Sequence, residues 1–114
     1  MQVRCEPDPE VGSATLVTVG GLVDAVGATE LWDAASPHIV KARPSILVDM
    51  SGVDVLTSAG ITTLIRFLNH AKPLGGKLAV FGSKPSVAKV FRIVGLEGLL
   101  GVVEMVTEAR ARVR

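Results

Sequence analysis

ILVDMSGVDVLTSAGITTL, residues 46–64, runs a short apolar strand into an amphipathic helix. The apolar run between Ser45 and Asp49 is too short for a helix and fits a strand covered on both faces, as in a sheet flanked by helices. After Asp49 a brief excursion from the strand is expected through Ser51, Gly52 and Asp54. Thr57 and Ser58 then precede Ile61, Leu64, Ile65 and Leu68, which repeat at i, i+3, i+4 and i+7 and so form one apolar helical face. Ser58 is the expected N-cap, its hydroxyl accepting from the amide of Gly60 or Ile61, with the small residues Ala59 and Gly60 leaving it uncovered. A helix start favours negative charge, so a phosphate on Ser58 would be tolerated.

Working outward, ATLVTV at 14–19 reads as a strand ended by Gly20 and Gly21, and residues 2–5 can pair beside it after a polar turn containing Pro7, Pro9 and Gly12. Ala28, Leu31, Trp32, Ala35 and Ile39 keep helical spacing, and Pro37 should kink or shorten that helix. The helix after Ser58 should stop at Pro73 and Gly75-Gly76, followed by a buried strand in KLAVF at 77–81. Pro85 suits the first turn of a third helix, with Val87, Val90, Phe91 and Val94 as its apolar stripe and Gly95 as its end. GVVEMV at 101–106 is expected to be a last strand, and residues 107–114 a short helix or a frayed end. Alternating strands and helices give an α/β fold, a single domain over residues 1–114 with a sheet of four to five strands and about four helices.

Hydrophobic residues make up 48% of the 114 residues and charged residues 20%, a globular composition. A formal charge of +1 and few aromatic residues argue against nucleic-acid binding. Cys5 is the one cysteine, which excludes an internal disulfide and a cysteine zinc cage, and His38 and His70 lack metal-ligand spacing. Neither a metal nor a cofactor is expected. The charged, proline-containing start MQVRCEPDPE does not read as a signal peptide, and no apolar run reaches membrane-spanning length, so a cytoplasmic protein without membrane insertion is expected.

Taken in order, Gly20-Gly21-Leu22, VDMSGV at 48–53, Ser58 to Gly60, GGKL at 75–78 and the KPSVAKVF…GL run at 84–96 resemble the STAS domain of bacterial anti-sigma factor antagonists. The resemblance spans almost the whole chain. It implies a mixed sheet packed against helices and a non-enzymatic regulator that binds an anti-sigma factor. That partner would also be a serine kinase of the histidine-kinase-like ATPase type, with a serine phosphatase to restore the active form. By motif the phosphorylated serine corresponds to Ser58, with Thr57 as a second candidate hydroxyl. Family members commonly read Asp-Ser-Ser/Thr-Gly where this chain reads Thr57-Ser58-Ala59-Gly60, and Gly-x-Leu/Ile-Asp where it has Gly20-Gly21-Leu22-Val23 with Asp24 one place later. The surface expected to meet the partner comprises Gly21, Leu22, Asp24, Ser51, Asp54, Thr57, Ser58, Ala59, Gly60 and Thr62. The alternative implied by the same resemblance is a scaffold subunit of a transporter or signalling complex, never modified at Ser58.

The remaining chemistry-bearing residues have ordinary explanations. Asp49 lacks a second carboxylate or histidine in motif spacing and suits a structural hydrogen bond or a partner contact better than catalysis. The glycine pairs lack a phosphate-binding arrangement and suit turns. Trp32 belongs to the core, the two histidines to the surface, and Arg110, Arg112 and Arg114 to a solvated tail.

Overall fold

Side chains alternate across a strand, so a strand with no polar residue in its central run must be covered on both sides. The computed structural model, which describes residues 1–114, meets that requirement. In chain order its elements are β1 (Gln2–Pro7), β2 (Ala14–Val23), α1 (Ala25–Ala35), β3 (Ser45–Leu56), α2 (Ser58–Ala71), β4 (Leu78–Phe81), α3 (Pro85–Val94), α4 (Glu97–Leu100) and α5 (Val106–Val113). The sheet order is β1-β2-β3-β4, with β1 antiparallel to β2 and the pairs β2–β3 and β3–β4 parallel. No helix is long and apolar enough to cross a membrane.

Ile46, Val48, Met50, Val53 and Leu56 of β3 face the main core, where they meet Leu31 of α1, Leu64 and Phe67 of α2, Val87 and Phe91 of α3 and Leu100 of α4. Leu47 points the other way, into a smaller cluster with Val11, Ala14, Ala79, Phe81, Ala109 and Val113, so α5 is the helix on the reverse face, with Val11 and Val103 beside it. Full burial of each such aliphatic side chain stabilises the fold by about 1.5–3 kcal/mol. Trp32 packs at the margin of the main core. Its ring stacks on Phe67 at 5.4 Å between centroids, with the Arg66 guanidinium 3.9 Å from the ring centre.

Several expectations from the sequence are corrected here. β3 does not break at Asp49 but continues to Leu56: Gly52 pairs with Gly20 of β2, while Ser51 and Asp54 sit at two slips of the register, exposed to solvent. β2 likewise continues through Gly20 and Gly21 to Val23. The register with β3 slips between Thr18 and Gly20 and again between Gly21 and Leu22, and Gly21 takes φ +89°, a conformation other residues rarely adopt. GVVEMV at 101–106 is not a strand: Val102 forms one isolated bridge with Val80, and from Val106 the chain is already helical. The sheet therefore has four strands. The short α4, which follows directly on α3, raises the helices to five. Pro37 does end α1 early, in a single 3-10 turn at 36–38.

The arginine tail is not solvated throughout. Ala109 and Val113 of α5 are buried, and Arg110 reaches the fully buried carboxylate of Asp8, its Nε 3.2 Å from Oδ2, while also pairing with Glu10 at 3.1 Å. Asp8 accepts two further bonds, from the amides of Val11 at 2.8 Å and Glu10 at 3.1 Å. Burial alone pushes the Asp8 carboxyl up, but the hydrogen bonds from Arg110 and the two amides, with the arginine charge, outweigh it and hold the pKa below the usual carboxylate value. This contact closes the chain between positions 102 residues apart.

Arg110→Ala, which leaves a buried carboxylate short of its partner, should lower stability by about 1–3 kcal/mol in urea titration. Because the folded pKa of Asp8 is depressed, its contribution is fully present above the unfolded value near pH 4 and is lost as pH falls through the folded value. The wild type should therefore lose stability below about pH 4 more steeply than Arg110→Ala, whose urea midpoint should show a flatter acid limb.

Candidate functional site

Parallel strands end on the same edge of a sheet, and each of β2, β3 and β4 passes there into a helix. The starts of α1, α2 and α3 are thereby gathered beyond the carboxyl ends of the strands, where open α/β sheets hold their binding sites. Asp24 caps α1, its carboxylate accepting from the Gly27 amide at 2.8 Å. Lys84 stands at the start of α3 and forms an ion pair with Asp54 of β3. Both side chains of that pair are well exposed, so it contributes at most about 1 kcal/mol.

At α2 the structure reassigns the cap. Thr57, not Ser58, is the N-cap residue, and Ser58 is the first residue of the helix. Thr57 does not use its hydroxyl on the helix amides. It donates instead to the Val23 carbonyl at 2.7 Å, and the Thr57 amide donates to the same oxygen at 3.1 Å. The end of β2 is thus clamped to the start of α2, and no side chain caps the first turn of α2. Ser58 is exposed, with its carbonyl accepting from the Thr62 hydroxyl at 3.0 Å. The Thr57 hydroxyl, engaged and half-buried, is poorly placed as an acceptor of phosphate.

Most of the residues expected to meet a partner come together on this edge. Leu22 pairs with Val55 and Gly21 with Val53 across the two strands, next to Asp24 on one side and Thr57, Ser58, Ala59 and Thr62 on the other. Gly60 is a correction, because it is buried and offers no surface to a partner. A Cβ there would come within 2.9 Å of Val23 Cγ1 and closer still to Leu56, so the glycine lets α2 settle on the sheet. Ser51 also stands apart. It precedes Thr57 by six residues of strand, about 20 Å, and its amide donates to the Asp49 carboxylate at 2.9 Å.

Sequence reasoning missed the apolar part of this edge. Leu22, Val26 and Val55 are 47%, 67% and 50% exposed, grouped by the Leu22–Val55 pairing and the first turn of α1. Val55 was hidden by the assumed excursion after Asp49: it comes beside Leu22 because β3 continues past Asp49 and its register with β2 slips by one residue at Asp54. Lys84 was missed because its partner Asp54 lies on another element.

The sequence matches the family described as Mlab, STAS domain, over residues 8–106. BtrV of Bordetella bronchiseptica, which carries the name of an anti-sigma factor antagonist, is 22% identical over 93 residues, covering 82% of this chain and 80% of BtrV. The crystal structure of an anti-sigma factor antagonist from Mycobacterium paratuberculosis superposes with a TM-score of 0.81 at 20% identity, covering 99% of this chain and 93% of that one. The Bacillus cell fate determinant SpoIIAA, solved in its phosphorylated form, superposes with a TM-score of 0.72 at 19% identity, covering 99% of this chain and all 100% of its own.

Three substitutions test the geometry of the α2 start. Thr57→Val keeps the shape but loses the hydroxyl bond to Val23, and should lower stability by about 0.5–1.5 kcal/mol. Gly60→Ala forces a methyl into Val23 and Leu56 and should lower it by about 1–3 kcal/mol. Ser58→Ala, which removes neither a cap nor a buried contact, should leave the thermal midpoint nearly unchanged.

Proposed function

The chain belongs to the STAS domain family, and on that footing we propose that it is an anti-sigma factor antagonist whose binding to its partner is switched by phosphorylation of Ser58. In this reading residues 1–114 act as one cytoplasmic binding domain and perform no catalysis. The partner is an anti-sigma factor that is also a serine kinase of the histidine-kinase-like ATPase type, and a serine phosphatase reverses the modification. One observation carries the proposal: Ser58 is exposed in an uncapped first turn of α2, beside the exposed apolar group Leu22, Val26 and Val55.

Each part of that arrangement has a role in the switch. Leu22, Val26 and Val55 supply apolar area that a partner covers, and Asp24 and Asp54 stand at its margin. A phosphate on Ser58 adds about −1.5 to −2 charges beside this area. The uncapped amides of the first turn and the positive end of the helix stabilise the phosphate in the free protein. In the complex the same charge has to be desolvated, and it repels any acidic group of the partner. Phosphorylation therefore favours the free form. That a structural neighbour has been solved phosphorylated supports the compatibility of this fold with such a charge.

Titration calorimetry against the kinase partner, once identified by pull-down, tests the switch. Ser58→Ala should bind as wild type does, while Ser58→Asp and Ser58→Glu should bind about tenfold more weakly or worse, a difference of about 1.4 kcal/mol. Equal affinity of all variants would overturn the proposal. Incubation with the kinase and ATP, followed by mass spectrometry, should place phosphate on Ser58. No modification by any co-occurring kinase would favour the scaffold alternative.

A further inference from the structure

At the other end of α2 a second concave site gathers positive charge. Leu68 of α2, Leu78 of β4 and Leu99 of α4 line a cleft of about 380 Å³, with Lys72, Lys77 and Arg112 among its other lining residues. Ser58 lies 10 to 14 residues away along the helix, about 15–21 Å. No acidic residue lines the cleft. None of the three cations enters an ion pair, since the pairs of this protein join Arg4 to Glu6, Lys84 to Asp54, and Arg110 to Asp8 and Glu10. Arg112 is held in place through Nη2, which donates to the Gly98 carbonyl at 2.8 Å. A guanidinium carries five N–H donors, so the others remain for a ligand.

On the apolar side Leu68 and Leu78 belong to the main core, and Leu99 is the leucine left uncovered. Leu99 is 49% exposed, although its neighbour Leu100 is completely buried. Lys72 at the end of α2 also complements the carbonyls of the helix C-terminus, which accounts for one cation of the three. Arg112 lies in the last turn of α5 and is held by the Gly98 carbonyl of α4, and Lys77 has no carbonyl or carboxylate partner for its ammonium. Three cations from separate segments lining one cleft beside the exposed Leu99 suit a ligand that has an anionic head and a short apolar chain, and the cleft lies within the size range of small-molecule sites.

We propose that this cleft binds a small anionic amphiphile, a carboxylate or phosphate monoester on a short alkyl chain, with the head between Lys72, Lys77 and Arg112 and the chain against Leu99. The site is independent of Ser58 and does not rest on the phosphorylation switch.

Amide NMR titration with octanoate and with octyl phosphate, each below its micellar concentration, tests the assignment. Saturable shifts should cluster at Leu68, Lys72, Lys77, Leu99 and Arg112. The double variant Lys72→Gln, Lys77→Gln, whose side chains are exposed and whose fold the same spectra verify, should raise the dissociation constant about tenfold or more by removing two charges near the head. Octyl glucoside and octyltrimethylammonium should produce no comparable shifts. Absence of saturation with either anion would overturn the proposal, as would equal response to the neutral or cationic analogue, or an unchanged constant in the double variant. Binding confined to phosphatidylglycerol vesicles, without response to the monomeric anions, would also overturn it.

Discussion

The burial of β3 on both faces is the constraint from which the rest of the structure follows. Ile46, Leu47 and Val48 leave no side of the strand for water, so helices must lie above and below the sheet. Covering one face with successive helices requires crossover connections, and these make β2, β3 and β4 parallel. Parallel strands then deliver the first turns of α1, α2 and α3 to one edge. Ser58 is brought beside Leu22 and Asp24 by this topology, with no direct bond between them needed.

The sequence revealed most where a local pattern and a tertiary demand agreed. The run 46–48, the heptad-like spacing from Ile61 to Leu68, Pro37, Pro85 and the Gly75-Gly76 stop each have a meaning that a window of a few residues contains. The far half of β3 was not legible because Ser51, Gly52 and Asp54 look like a turn. The strand is carried through them by the pairs that flank them, Asp49 with Thr18, Gly52 with Gly20, Val53 with Gly21 and Val55 with Leu22, and their polarity reflects a sheet face that α5 does not reach. GVVEMV misled in the opposite sense. Its residues favour a strand, but the chain makes a single bridge to Val80 before α5 turns back across the sheet. The partnership of Asp8 with Arg110 spans 102 residues and leaves no periodic trace.

At the candidate site the legible part was the presence of a helix start with two adjacent hydroxyls, and the illegible part was their division of labour. Either Thr57 or Ser58 could cap a helix on statistics alone. The choice is made by the neighbouring strand, whose last carbonyl, that of Val23, lies within 2.7 Å of the Thr57 hydroxyl. That carbonyl takes both the amide and the hydroxyl of Thr57, one on each lone pair, while the exposed helix amides are left to water, so the threonine serves the strand. The capping position moves to Thr57 while its capping bond goes unmade.

This division also bears on the departure from the family pattern at position 57. An aspartate there could not donate to the Val23 carbonyl, because an ionised carboxylate only accepts hydrogen bonds. It would instead turn to the free amides of the α2 first turn and satisfy them from within. Thr57 leaves those amides open and removes a negative charge from beside Ser58. Both effects lower the electrostatic cost of a phosphate at Ser58, since the charge finds donors unoccupied and one fewer anion nearby. On electrostatic grounds, then, threonine at 57 would accommodate a phosphate at Ser58 better than an aspartate would, and the clamp to Val23 would keep the local backbone fixed if that charge were added.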